Sequence, residues 1–452
     1  MSYNFAPVIN DPQTQISDSG HDNLPTDDVQ VRVELKKLGQ PVTYSGEGNK
    51  ERRARLGALL TEQSAAQNVS GESDATEESD EEFYTPGRDE LMEIRTSILN
   101  YSVARATERI ARQKAYASAH NFTKVLKHRR NIANIMSGYE LNGTYTMQGN
   151  QRMLSRVRFN SSEQKVACSS WEGNFYILSK DDAGFYEETH RSSLGYHSEM
   201  ATIAWSPKDE NILVSGGAEG KVNLWNVAAP QTNAKTTELS PMMAIGEAHS
   251  KRIAQTELFE QEGHSKEVYA MAFHGDGSLL ATGGLDAIGL LWDLRSGRNV
   301  ASFQGHVKGI YSMDFAPNGH HLATGSGDNS VKIWDLRKGK GAELFSIPAH
   351  TRIVSDVRFL QGSTTGAKTP SRLATSVTDE NDANPETLDV SGTCLVTSSY
   401  DNTVKVWSAD NWVKIKTLTG HTDRVSSCEI RSDGEEILSC GWDRTMRAWG
   451  RV

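Results

Sequence analysis

A fixed interval constrains this chain more than any other feature. His197, His264, His306 and His421 precede Trp225, Trp292, Trp334 and Trp449, all by the same distance along the chain. His350 stands further before Trp407, which becomes comparable once the polar stretch 361–391 is taken as an insertion. An acidic residue stands six positions before each Trp: Glu219, Asp286, Asp328, Asp401 and Asp443. Self-similarity at a fixed period marks a repeat architecture, in which units bury their apolar faces against one another. Between His and Trp lie two short apolar runs, such as 268–273 and 279–282, parted by the turn Gly275-Asp276-Gly277. A third run, such as 289–292, follows the acidic residue. Short strands at even spacing with Gly/Asp turns argue for stacked antiparallel sheets, not helices.

Gly-His pairs at 263–264, 305–306 and 420–421, and Trp-Asp pairs at 292–293 and 334–335, complete a pattern that resembles the WD-repeat family, whose fold is a β-propeller. The expected class is mainly β, a propeller preceded by an α-helical, partly disordered N-terminal region. The resemblance implies that the His, acid and Trp of a repeat share a hydrogen-bond network with a structural role. The first repeat is degenerate: Glu172 keeps the acidic position, but Leu178 stands where the Trp belongs. The last Trp lies close to Val452, so the strand-like stretch 139–147 is the expected donor of the final blade's outer strand, removing two open sheet edges. Gly246-Glu247-Ala248-His249 also starts like a repeat, yet His264 arrives long before a full repeat has passed. Uninterrupted repeats run from His264 to His306 and from His306 to His350. The count is six recognisable blades plus a truncated remnant at 246–263. Either the ring closes with six blades or the chain has lost a segment, and we favour the loss.

The expected division is a disordered tail (1–24), a helical motif (25–62), an acidic linker (63–84), a basic amphipathic helical region (85–135) and the propeller (139–452). Four cysteines, Cys168, Cys394, Cys428 and Cys440, lack paired spacing, which fits buried reduced thiols. Residues 1–15 lack a basic region followed by an apolar core, and no run reaches the roughly 20 apolar residues of a membrane helix. These features predict a soluble, intracellular chain.

Asp27 reads as the N-cap of a short helix ended by Gly39 and Pro41, with Val29, Val33 and Leu35 as its apolar surface. A second helix starts near Lys50. Asp27-Asp28-Val29, Leu38-Gly39-Gln40-Pro41-Val42-Thr43, Gly46-Glu47-Gly48 and Glu51-Arg52-Arg53-Ala54-Arg55-Leu56 together resemble the splicing factor motif of the pre-mRNA processing factor 4 family. That family joins the motif to a seven-bladed WD propeller in the U4/U6 small nuclear ribonucleoprotein. The resemblance implies a nuclear splicing scaffold that bridges U4/U6 small nuclear RNA and partner proteins in tri-snRNP assembly, pre-mRNA processing factor 3 among them. Val29, Val33, Leu38, Glu47, Arg52, Arg53 and Arg55 are the candidate docking residues.

Residues 71–82 hold seven acids and no base, and Ser79 before Asp80-Glu81-Glu82 has the setting of an acidic-directed phosphorylation site. From Thr85-Pro86 onward, Leu91, Ile94, Ile98, Leu99, Val103, Ala106 and Ile110 recur every three or four residues, an apolar stripe for the propeller or a partner. Arg105, Arg109, Arg112, Lys114, Lys124, Lys127, Arg129 and Arg130 then crowd one stretch, opposed only by Glu108 and interleaved with Tyr116 and Phe122. Such a run repels itself unless an anion is near, so these eight are candidate contacts to RNA phosphates. Duplex RNA hides its base edges in a deep groove, so shape and backbone would be read.

No catalytic site, metal site or cofactor is expected. The stretch 215–222 falls short of a phosphate loop, with Ser215 where a Gly is required and Val222 where Ser or Thr is. His320-His321 has no metal-ligand partner at useful spacing. An alternative reading rests on Trp292-Asp293-Leu294-Arg295 and Trp334-Asp335-Leu336-Arg337, which resemble the adaptor-binding box of cullin–RING ubiquitin ligase substrate receptors.

Overall fold

The computed structural model describes residues 27–38, 42, 47–68, 89–181, 184–192, 197–228, 237–239, 241–245, 263–338, 341–362 and 390–451. The tail, the acidic stretch with Ser79, the motif residues 39–41 and 43–46, most of the remnant 246–263 and most of the insertion 361–391 lie outside them. The chain forms two compact units, Met1–Pro86 and Gly87–Val452.

The first unit pairs α1 (Asp28–Lys37) with α2 (Asn49–Asn68). Asp27 caps α1, its carboxylate accepting the Val29 amide at 3.2 Å. Val31 and Leu35, one turn apart, are buried against Leu56. This divides the expected apolar surface: Leu35 lies inside, while Val29 and Val33 are exposed. At about 100° per residue, positions 31, 35 and 38 share a face that 29 and 33 do not.

In the second unit the basic region forms two helices, α3 (Asp89–Ala119) and α4 (Phe122–Met136). They part at Asn121, whose side-chain oxygen caps α4 by accepting the Thr123 amide at 3.1 Å. Six sheets follow. Blade 1 runs outward through Leu154–Phe159, Lys165–Ser170, Phe175–Lys180 and Tyr186–Ser192, and gains Thr237–Leu239 as a parallel fifth strand. Blade 2 comprises Met200–Trp205, Ile212–Gly217, Val222–Asn226 and Pro241–Ile245. Blade 3 is Val268–Phe273, Leu279–Gly284, Ile288–Asp293 and Arg298–Gln304. Blade 4 is Ile310–Phe315, His321–Ser326, Val331–Asp335 and Ala342–Ile347. Blade 5 is Val354–Phe359, Cys394–Ser399, Thr403–Ser408 and Lys414–Thr419. Blade 6 takes Val425–Ile430, Glu436–Gly441 and Thr445–Gly450 from the end of the chain and Glu140–Thr146, antiparallel to Thr445–Gly450, from before blade 1. That closure is the one the sequence predicts.

Apolar cores lie between blades 1 and 2, 3 and 4, 4 and 5, 5 and 6, and 6 and 1. Among the described residues there is no such core between blades 2 and 3, the junction where the sequence falls short. The four cysteines are free and buried in these cores, and burial pushes the Cys394 and Cys440 thiols up to about 12.

Within a blade, a relay of hydrogen bonds ties the loop entering the innermost strand to the two strands beyond. In blade 4, His306 Nδ1 meets Asp328 at 2.9 Å, His306 Nε2 meets Thr324 Oγ1 at 2.7 Å, and Trp334 Nε1 donates to the same hydroxyl at 2.9 Å. Because Nδ1–H faces a carboxylate, Nε2 is the acceptor and the hydroxyl donates to it. Blades 3, 5 and 6 repeat this with His264–Asp286–Thr282–Trp292, His350–Asp401–Thr397–Trp407 and His421–Asp443–Ser439–Trp449. Blade 2 departs. Ser215 joins His197 to Trp225, but Glu219 accepts the Ser198 amide and leaves the buried His197 Nδ1 without a hydrogen-bond partner among the described residues. The shared hydroxyl, at a constant distance before each Trp, was legible in the sequence and went unused. Thr324→Val should cost about 3 kcal/mol, since it strands a buried indole N–H and a buried imidazole nitrogen. Urea denaturation beside Thr324→Ser checks this: the serine variant, which keeps the hydroxyl, should lose much less, and a valine variant as stable as the parent would show that the relay contributes little.

Candidate nucleic-acid and partner-binding surface

α3 and α4 lie against the propeller through polar side chains and one apolar foot. Arg109 grips Asp276 of blade 3 with two nitrogens, at 2.9 and 2.7 Å, and reaches the Asn318 carbonyl of blade 4 at 3.4 Å. Gln113 donates to the same carbonyl at 3.2 Å. Burial pushes the Asp276 carboxyl up, but the Arg109 hydrogen bond and the neighbouring positive charge outweigh it, so the acid titrates below its ordinary range. Arg105 donates to the Gly275 carbonyl at 3.2 Å and to the Tyr101 hydroxyl at 2.8 Å. In α4, Arg129 bonds Asp410 and the Gly392 carbonyl of blade 5, both at 2.7 Å. Ile132 and Met136 of α4, with Tyr139, enter the core between blades 5 and 6.

The eight candidate RNA contacts therefore fall into two groups. Arg105, Arg109 and Arg129 hold the helices to the propeller. Arg112, Lys114, Lys124, Lys127 and Arg130 have exposed side chains around the corner where α3 ends and α4 begins. Tyr116 and His120 stack there with ring centres 4.3 Å apart, and Phe122 stands exposed beside them. Nothing in the sequence pairs Arg109 with Asp276, so far apart in the chain. The apolar stripe of α3 stays largely uncovered: Ile94, Leu99, Val103 and Ile110 are exposed, as is Met92 beside them. The contacts of α3 with the propeller described above run through the polar atoms of Arg105, Arg109 and Gln113.

In the first unit, most of the candidate docking residues serve the helix pair itself. Arg52 is buried, bonding Asp28 and, at 3.1 Å, the Glu47 carbonyl. Arg55 makes a two-pronged ion pair with Glu47, at 2.8 and 2.9 Å. Leu38 packs at the margin of the small core, and Arg53 is half-buried. Val29 and Val33 face outward.

Features weighed as other chemistry have structural partners. Ser215 belongs to the blade 2 relay and His321 bonds Asn318 at 2.9 Å. No group of His, Cys, Asp or Glu among the described residues could hold a metal ion, and no helix among them is long and apolar enough to cross a membrane. Arg295 and Arg337 each fold back onto the aspartate two positions before, at 3.0 Å, which leaves the adaptor-box reading without support.

Propeller blades built on these relays define a WD-repeat protein. The model of the WD domain, G-beta repeat, matches residues 189–226, 255–293, 297–335, 386–408 and 412–450, passing over the degenerate first blade. A second model, pre-mRNA processing factor 4 (PRP4) like, matches residues 31–59, the α1–α2 pair. The U4/U6 small nuclear ribonucleoprotein PRP4 of Saccharomyces cerevisiae is 29% identical over 95% of this chain and 91% of its own length. The human U4/U6 small nuclear ribonucleoprotein Prp4 is 34% identical over 41% of this chain and 37% of its own. An Arabidopsis thaliana U4/U6 small nuclear ribonucleoprotein PRP4-like protein is 32% identical over 45% and 37%. The chain thus carries the helix-pair domain of the pre-mRNA processing factor 4 family beside WD repeats, and over nearly its whole length it is similar to a U4/U6 ribonucleoprotein PRP4.

Proposed function

We propose that this chain is a non-enzymatic scaffold of the U4/U6 small nuclear ribonucleoprotein, working in the nucleus in pre-mRNA splicing. It bridges U4/U6 small nuclear RNA and partner proteins, pre-mRNA processing factor 3 among them, during tri-snRNP assembly. The observation that carries this reading is the union on one chain of the processing-factor-4 helix pair with a WD propeller. A propeller alone says little about function; the pairing is specific, and relatives similar to this chain are named as U4/U6 proteins. The exposed cations of α3 and α4 supply the phosphate-binding surface, which follows backbone and shape, not sequence. The uncovered stripe of α3 and the Val29–Val33 ridge supply apolar docking sites. Several modest contacts on one chain add up through effective concentration without one tight site. Isolating the tagged chain from nuclear extract at moderate salt and sequencing the RNA that accompanies it tests the reading. Joint enrichment of U4 and U6 is expected; recovery without either would overturn it.

A further inference from the structure

The relays fix which loops share a face of the propeller. Because His350 reaches Asp401 and His421 reaches Asp443, the loop entering each of these blades lies beside the loop between its second and third strands. The hydrogen bonds of α3 and α4 to the blades instead fall on Gly275, Asp276, Asn318, Gly392 and Asp410, in turns at the other end of the strands. The relay face is therefore the one these helices leave open.

On that face the residue directly after the second strand is aromatic in blades 5, 6 and 1, which follow one another around the ring: Tyr400, Trp442 and Trp171. The same place holds Ala218, Leu285 and Gly327 in the other three blades. Each aromatic is tied to the loop entering its own blade, the Tyr400 amide donating to Ile353 at 3.0 Å, Trp442 to Arg424 at 2.8 Å and Trp171 to Met153 at 3.0 Å. Those loops bring an arginine to each blade, Arg352, Arg424 and Arg152. Arg424 lies between two rings, its guanidinium carbon 4.4 Å from the centre of Trp442 and 5.5 Å from that of Tyr400. Among the described residues no hydrogen-bond acceptor meets this guanidinium. Arg352 stands exposed on the neighbouring loop, and the acids nearby are mostly engaged: Asp401 and Asp443 hold the relay histidines, leaving Asp423 as the exposed acid of the loops around Arg424.

We propose that this aromatic and arginine arc docks an acidic segment of a partner protein, with Arg424 taking one of its carboxylates in a two-pronged contact. A planar guanidinium matches the fork of a carboxylate. Stacking on Trp442 and Tyr400 has already restricted its motion, so less freedom is lost when the contact forms. Trp, Tyr and Arg are also the side chains that dominate binding energy at protein interfaces. Single-stranded RNA, the other polyanion, needs open ring faces for its bases. Arg424 lies over both the Trp442 and Tyr400 rings, which favours the protein segment.

A photo-cross-linking residue, p-benzoylphenylalanine, placed at Thr422, exposed beside Arg424, reports on this in the full chain. Complexes carrying the tagged chain are irradiated and digested, and the attached peptide is sequenced by mass spectrometry. That peptide should come from another protein and be rich in Asp and Glu. Its yield should fall about tenfold in Arg424→Gln, the loss expected from one interface anchor. Arg424→Lys should restore little of it, because lysine keeps the charge but lacks the planar fork. Full recovery with lysine would overturn the two-pronged contact. A cross-link to RNA, a peptide without acids, a yield unchanged in Arg424→Gln or no cross-link at all would each overturn the proposal.

Discussion

Replacing Asp356 by alanine should lower the melting temperature of the propeller by about 5 °C. Asp356 sits on the innermost strand of blade 5, fully buried. Arg158 and Arg156 of blade 1 reach it at 3.2 and 3.3 Å, Arg358 lies at 3.6 Å, and Ser312 and Ser427 donate to it at 2.7 and 2.6 Å. One carboxylate thus ties together strands of blades 1, 4, 5 and 6. Its removal leaves three guanidiniums crowded without their common anion. Breaking a buried pair from one side costs about 3–5 kcal/mol. Unfolding entropy near about 2 cal/mol/K per residue, over a unit of this size, converts that to about 5 °C. Calorimetry of Asp356→Ala beside Asp356→Asn checks it, since asparagine keeps a partner for the two hydroxyls and should lose less.

The same cluster sets an acid limit. Burial pushes Asp356 up, but the charges of Arg158, Arg358 and Arg156 outweigh it and hold the carboxyl well below its ordinary 3.8. In the blade relays, burial likewise opposes the His421 hydrogen bond, and the balance leaves Asp443 at about 2. Groups depressed in the folded state contribute stability that is present above their ordinary value and lost as pH falls through the folded one. Asp314 runs the other way: burial raises it from 3.8 to about 6 despite Arg358. Its contribution is present below the ordinary value and lost as pH rises through the folded one. Asp314→Asn should therefore remove a decline in stability between these two values and leave the acid limit in place, which denaturant titrations across that pH range would measure.

Neutralising Arg112, Lys114, Lys124, Lys127 and Arg130 together to glutamine should make RNA binding far less salt-dependent. Each phosphate contact contributes about 0.7 to 0.9 to the slope of log affinity against log salt, so losing five flattens it by about 4. Binding titrations across a salt series measure this. Substituting Arg109 and Arg129 instead should loosen α3 and α4 from the propeller, visible as faster amide exchange in the helices. An unchanged slope in the five-fold variant would reassign the corner to protein contact.

Much of the fold was legible because each blade's specificity is local. His, acid and Trp recur within a single repeat, and the turn after the acid often holds a residue suited to left-handed backbone, as at Gly220, Asn329 and Asn402. Closure by 139–147 followed from the need to cap a sheet edge. The break between α3 and α4 was also written in the chain, at Asn121 before Phe122-Thr123, but the unbroken run of cations hid it.

The sequence by itself determined the blades, their relays, the helix-pair motif and the place where the repeat falls short, since each depends on residues near one another in the chain. Only the tertiary structure decided which cations are committed to the propeller and which remain exposed. It also decided which stripe of α1 is buried, and that Val268, Met271 and Phe273 of blade 3 are exposed. The physical reason is reach: Arg109 meets Asp276 across 167 residues of chain, and Arg129 meets Asp410 across 281. A charge's role depends on what the folded chain brings within hydrogen-bond distance, and no local pattern carries that.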